Sequence, residues 1–137
     1  MTTIAFDGKI LAADSQVTGM HIETVSIQKI RKLKTGYMAT AGDPGEAELV
    51  RKWIEAGRVW EKRPKVEDFH ALIVRKNSVH FMGESLEEVP MKAPVAIGSG
   101  SSIALTAMDC GKNAIEAVKL AIKRDPYTGG RVRHIKV

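Results

Sequence analysis

The sequence predicts an α+β domain in which antiparallel sheets are covered by helices, and three observations carry that expectation. Short apolar runs come in pairs around turn residues. The apolar period switches from strand-like to helical at two places, and the helical stretches are grouped rather than alternating with single strands. The element order is strands, one helix, strands, two helices, strand, which suits antiparallel layers better than parallel βα units. A four-layer αββα sandwich accommodates it.

Residues 2–6 and 9–13 are apolar runs on either side of Asp7-Gly8, a dipeptide that favours a tight hairpin turn. Residues 30–33 and 37–41 flank Lys34-Thr35-Gly36 and predict a second hairpin. Asp43-Pro44-Gly45-Glu46 then reads as a helix start, with Asp43 as N-cap, Pro44 in the first turn and Glu46 closing a capping box. Val50, Trp53, Ile54 and Gly57 continue it at helical spacing, and Lys62-Arg63-Pro64 ends it. Residues 71–74 and 79–82 predict a third hairpin around Lys76-Asn77-Ser78, residues 90–94 a loop, and residues 95–97 a short strand. Ile103, Ala104, Ala107 and Met108 mark one late helix and Ile115, Val118 and Ile122 another, separated at Gly111; residues 131–137 are a basic last strand. Cys110, late in an apolar helix pattern, is expected to be a buried thiol.

At 137 residues and 44% hydrophobic the chain is long enough for one core and short for two, so a single domain over 1–137 is expected. With one cysteine there is no internal disulfide. No apolar run approaches the roughly 20 residues of a membrane helix, and the start lacks the pattern of a signal peptide; a cytoplasmic protein away from membranes is expected. The net charge of +5 is spread over small groups, and 5% aromatic residues leave no base-stacking platform, which weighs against nucleic-acid binding. His21, His70, His80 and His134 lack metal-ligand spacing, and no cofactor motif is present.

A threonine stands directly behind Met1. With Met1 removed, the Thr2 hydroxyl would be a nucleophile carrying its own base, because a free α-amine, with an ordinary pKa of about 7.7 to 8.0, is suited to accept its proton near neutral pH.

Several stretches, in order along the chain, resemble the proteasome β-subunit branch of the N-terminal nucleophile (Ntn) hydrolases, the branch that includes the HslV peptidase. Thr2-Thr3-Ile4 resembles the mature start. Residues 12–16, Ala-Ala-Asp-Ser-Gln, resemble the end of the second strand, and Lys29-Ile30-Arg31-Lys32 the segment with the active-site lysine. Thr40-Ala41-Gly42 resembles the turn that supplies the oxyanion hole. Gly98-Ser99-Gly100-Ser101 and the helix after it are similar to the loop that brings a serine to the threonine amine. Residues 124–130, Arg-Asp-Pro-Tyr-Thr-Gly-Gly, resemble the family's Arg-Asp-x-Tyr-Ser-Gly-Gly.

The resemblance implies the Ntn αββα fold and a threonine peptidase with Thr2, Asp14, Lys29, Ser99, Asp125 and Thr128 as catalytic residues and Gly42 as oxyanion donor. It implies no cofactor, and leaves open a cation at the loop of residues 124–128. It implies a polypeptide substrate, a homo-oligomeric ring or related assembly that confines the sites, and an ATP-dependent unfoldase as a feeding partner. The chain departs from the family in having room for only one long helix between the second hairpin and the middle strands, so the first helical layer should be reduced. Two alternatives stand beside the peptidase: a non-catalytic assembly protein of the same fold, and an amidohydrolase acting on a small-molecule amide. The expected pocket wall is Gln16, Met20, residues 29–31 and residues 42–45, and its positive charge points to acidic substrate groups.

Overall fold

The computed structural model describes residues 2–137. In chain order the elements are β1 (Ile4–Phe6), β2 (Ile10–Ala13), β3 (Val17–Thr18), β4 (Ile22–Thr24), β5 (Ile30–Leu33), β6 (Gly36–Gly42) and α1 (Pro44–Glu55). A 3-10 turn at Trp60–Lys62 leads to β7 (Phe69–Arg75), β8 (Ser78–Met82), β9 (Glu88–Met91), β10 (Val95–Ile97), α2 (Ser101–Asp109), α3 (Ala114–Arg124) and β11 (Arg133–Lys136).

The strands assemble into two main sheets, ordered β10-β1-β2-β11 and β5-β6-β7-β8-β9, with β3 and β4 as a separate ribbon. Every pairing is antiparallel. Strand alternation sorts the side chains into three apolar layers. Ile4, Phe6, Leu11 and Ala13 of the first sheet meet Ala39, Ala41, Leu72 and Val74 of the second, forming the layer between the sheets. Ala5 and Ala12, on the opposite face, pack against Ala104, Ala107, Ala117 and Val118 of α2 and α3. Met38, Ala71 and Ile73 face Ala47, Val50 and Trp53 of α1. The order of layers is helices, sheet, sheet, helix, which is the predicted αββα sandwich. Alanine on the α2–α3 side lets the helices approach the sheet closely, whereas the space between sheets is filled by larger aliphatic side chains.

The helical layer over the five-stranded sheet is reduced, as expected, to α1. Its N-terminus differs from the sequence reading in one respect. Asp43 caps it, with Oδ1 accepting from the Gly45 and Glu46 N–H at 2.7 and 3.0 Å. Glu46 does not close the capping box, because its carboxylate accepts instead from the Glu67 and Asp68 N–H at 2.9 and 2.8 Å and ties α1 to the approach of β7. At the other end the Gly57 N–H donates to Ile54 O and the Arg58 N–H to Trp53 O, the paired bonds of a Schellman stop, so Gly57 ends the helix instead of extending its buried stripe.

Three strands, β3, β4 and β9, are not foreseen by the sequence. Pro90 lies within β9 rather than a loop, and it is tolerated because β9 is an edge strand whose outer side needs no N–H donor. Arg75 clamps this edge with a two-pronged bond to Glu88 at 2.7 and 3.1 Å, and Arg58 pairs with the same carboxylate. The β3–β4 ribbon is too short and too exposed to leave a period-two signal. Cys110 is exposed, contrary to expectation, since α2 ends at Asp109 and Cys110 is its C-cap beyond the buried Met108. Among the described residues no helix is long and apolar enough to cross a membrane.

Candidate active site

The two sheets end side by side at the N-terminus of β1, and the side chains singled out in the sequence meet there. Asp14, just past β2, and Lys29, just before β5, are both buried. The Lys29 ammonium donates to Asp14 Oδ1 at 2.8 Å and to Thr2 Oγ1 at 2.5 Å. Asp14 also accepts backbone N–H bonds from Thr3 (3.1 Å), Gly129 (3.0 Å) and Gln16 (3.3 Å), which satisfy its buried oxygens and fix its orientation. Burial works to pull the Lys29 pKa down; the charge of Asp14 and the hydrogen bond to it oppose this, and the balance stays below the ordinary lysine value. Lys29 is held in register by its own carbonyl, which accepts the Thr40 N–H of β6 at 3.1 Å.

A second group closes on the Thr2 nitrogen. The Thr2 N–H donates to Ser99 Oγ at 3.1 Å, and Ser99 in turn donates to Asp125 Oδ2 at 2.6 Å. Thr128 donates to the same carboxylate oxygen at 2.6 Å. With the Thr128 proton committed to Asp125, the 2.8 Å contact between Thr3 Oγ1 and Thr128 Oγ1 has Thr3 as donor. The chain of protons therefore points at Asp125 from both sides. Burial works to raise the Asp125 pKa, but the bonds from Ser99, Thr128 and the Tyr127 N–H outweigh it and leave the carboxyl below its ordinary value. The helix end supplies the position: Asp125 is the C-cap of α3, and the turn after it is closed by the Thr128 N–H on Asp125 O at 3.1 Å.

Two glycines let the backbone come this close. Gly98 has φ +96°, and a Cβ on it would lie 2.1 Å from the Thr2 carbonyl oxygen. We expect Gly98→Ala to push Thr2 away from Lys29 and Ser99, and to destabilise the protein by about 1–3 kcal/mol through strain and overpacking, read as a drop in the thermal midpoint. Gly42 has φ +102°, and a Cβ there would meet Asp68 O at 2.2 Å. Along β6 the Thr40 N–H bonds toward Lys29 while the Asp43 N–H bonds to Asp68 O at 2.8 Å, on the β7 side. Strand alternation puts the Gly42 N–H on the edge shared with Thr40, facing the cleft.

These groups border a cleft of about 460 Å³ lined by Thr2, Gln16, Lys29, Arg31, Thr40, Gly42, Pro44 and Ser99, among others. Six of the seven predicted site positions are linked by direct hydrogen bonds around Thr2, and Gly42 lines the same cleft. Of the expected wall, Gln16, Lys29, Arg31, Gly42 and Pro44 line the cleft, Ile30, Asp43 and Gly45 do not, and Met20 is elsewhere, fully exposed on the β3–β4 ribbon. Thr3 was not singled out in the sequence; its hydroxyl extends the Asp125 group, and the only sequence signal was the threonine doublet itself. Gln16 Nε2 bridges Pro126 O at 2.9 Å and Thr18 Oγ1 at 2.8 Å, binding the α3 turn to the cleft wall. Among the described residues no three His, Cys, Asp or Glu side chains converge as metal ligands.

No family model matches the chain, and no curated protein matches it in sequence. Solved structures do share its fold. Thiobacillus denitrificans BPH in complex with epoxomicin matches at TM-score 0.76 and 17% identity, covering 100% of this chain and 98% of that one. Thiobacillus denitrificans BPH also matches in a second structure, at TM-score 0.74 and 18% identity over 99% and 96% of the two chains. Eukaryotic HslV from Trypanosoma brucei matches at TM-score 0.74 and 17% identity over 98% of this chain and 97% of that one. The α+β sandwich is thus a fold that the chain shares with HslV and BPH.

Proposed function

We propose that the chain is a threonine peptidase whose nucleophile is the Thr2 hydroxyl, active once Met1 is removed and the Thr2 nitrogen becomes the terminal amine. Met1 lies outside the described residues. The observation that carries this reading is the convergence of two independent groups on one residue: Lys29 with Asp14 on Thr2 Oγ1, and Ser99 with Asp125 and Thr128 on Thr2 N. A merely structural threonine has no need of both.

In the proposed reaction Thr2 Oγ adds to the substrate carbonyl carbon while the amine accepts its proton. Lys29, charged and next to the oxygen, favours the ionised hydroxyl and disfavours a second cation on the amine, so the amine stays a competent base. Asp14 fixes and balances Lys29. The Gly42 N–H stabilises the developing oxyanion, a kind of interaction whose loss costs roughly 2.7 to 4 kcal/mol in other hydrolases. The carbon–nitrogen bond then breaks, the leaving amine takes the proton, and water hydrolyses the Thr2 ester. Ser99, Asp125 and Thr128 orient the amine.

The substrate we assign is a polypeptide, and the working form a self-compartmentalised homo-oligomer, with an ATP-dependent unfoldase as the feeding partner. The fold similarity and the resemblance of the site segments support these assignments. The test is the intact mass before and after a β-lactone that acylates N-terminal threonine. Loss of one methionine and gain of one adduct, absent from Thr2→Ala, is the expected result; a trimmed protein that takes no adduct and cleaves no peptide favours the non-catalytic assembly reading. Adduct formation with cleavage of small amides alone favours the amidohydrolase.

Asp125 also gives a pH signature. Its folded pKa lies below its ordinary 3.8, so the stabilisation it provides is fully present above 3.8 and is lost as pH falls through the lower folded value. Asp125→Asn should be less stable at neutral pH, because with its oxygen kept toward the Ser99 and Thr128 hydroxyls the amide turns an NH2 group toward the Tyr127 N–H, which the carboxylate accepts, and its thermal midpoint should fall less steeply below pH 3.8 than that of the parent.

A further inference from the structure

Resting on the peptidase reading, we propose that Arg31 makes the site selective for an acidic residue, glutamate above all, on the acyl side of the cleaved bond. Lys29 and Arg31 are two residues apart beside and within β5, so they project to the same face. Lys29 ends at Thr2 Oγ1, and Arg31 therefore places its guanidinium one strand repeat farther into the same cleft. A side chain leaving the substrate carbon next to the attacked carbonyl enters the space between them.

The Arg31 head is built into that wall. Its Nη1 donates to Thr40 Oγ1 at 2.6 Å and leans on Lys29 O at 3.4 Å, fixing the plane of the guanidinium. Its nearest carboxylate is Glu48, 3.6 Å from Nε. Glu48 is engaged more closely by Arg51, with bonds of 3.0, 3.0 and 2.5 Å, so it balances Arg31 only in part. The Arg31 side chain is 14% exposed. The surface it presents to the cleft is thus an ordered, desolvated cation, the kind of group that recognises a carboxylate through charge-assisted, directional bonds. Lys29 contributes no comparable attraction because Asp14 neutralises it at 2.8 Å. Asp68 is the acidic residue lining the cleft, at the Gly42 and Pro44 rim, where its carbonyl is held by the Asp43 N–H. It repels an anion at the rim and leaves the Arg31 end as the favourable place for one. Glutamate is preferred to aspartate because Arg31 lies a strand repeat away from the nucleophile, and the extra methylene spans it.

The experiment is a set of fluorogenic peptides that differ only in the residue before the cleaved bond, carrying Glu, Asp, Gln, Leu or Lys, assayed on the trimmed full chain. The expected result is a kcat/KM for Glu about tenfold or more above that for Gln, the uncharged isostere, with Asp between them. In Arg31→Met this ratio should collapse toward one, and in Arg31→Glu the Lys peptide should become the best substrate. Ratios within one variant cancel any general loss of activity. Arg31→Lys, which keeps the charge but loses the fork, should keep a reduced preference for Glu, and it serves if Arg31→Met does not fold. A parent enzyme that prefers Leu or Lys, or a Glu preference that survives in Arg31→Met, overturns the inference. The β-lactone adduct separates the two levels: an adduct on Thr2 without acidic preference sinks the role of Arg31 alone, whereas no adduct and no hydrolysis sink the peptidase reading with it.

Discussion

Thr2→Ala is expected to bring peptide hydrolysis down to the uncatalysed background while the protein stays folded. In the proposed reaction the hydroxyl is the atom that attacks, and no neighbour can replace it: Thr3 points the other way, into the Thr128 and Asp125 group, and Ser99 is committed to Asp125. The structural consequence is small. Thr2 precedes β1, its backbone contacts to Ser99 and Gly100 are unchanged by losing the side chain, and the side-chain bonding lost includes the bond from Lys29. Hydrogen bonds of this kind contribute roughly 0.5 to 3 kcal/mol, so denaturant midpoints should shift by no more than that. Thr2→Ser, which keeps the oxygen, should retain measurable turnover. Activity that survives in Thr2→Ala would rule out Thr2 as nucleophile.

Lys29→Met should remove both activity and stability. The variant leaves the buried Asp14 carboxyl without its partner cation, and removing one member of a buried pair costs about 3–5 kcal/mol. The three backbone N–H groups on Asp14 remain, which puts the expected loss at the lower end of that range. A urea titration reads it as a lower midpoint at unchanged slope. The double variant Lys29→Met with Asp14→Asn should recover part of the stability and none of the activity, because the buried charge is gone but Thr2 Oγ1 still lacks its cation. If the double variant cleaved peptides at the parent rate, Lys29 would have no part in the chemistry.

Most of the architecture was legible because its signals are local. Asp7-Gly8 marks a hairpin, Asp43-Pro44 a helix start, and both late helices carry an apolar stripe. The unforeseen elements depend on tertiary partners. β9 exists around Pro90 because it is an edge clamped by Arg75 through Glu88, and Glu46 leaves its capping box because the approach of β7 offers two N–H groups. No spacing rule in the sequence announces either partner. The site was legible through resemblance of segments, since Asp14, Lys29, Ser99 and Asp125 are far apart in the chain and only the fold brings them together. Thr3 shows the limit: its hydroxyl acts on Thr128, 125 positions away, and nothing near it in sequence marks that bond.

Chain ends usually fray, and ordering a residue costs about 1–2 kcal/mol of backbone entropy. Here the strand behind Thr2 is not at the margin of its sheet: β1 lies between β10 and β2 and is hydrogen-bonded along both sides. Folding itself therefore immobilises the residue whose amine and hydroxyl act together in the proposed reaction. A substrate arriving in the cleft meets a terminus whose freedom has already been surrendered, and none of its binding energy need go to arresting the nucleophile.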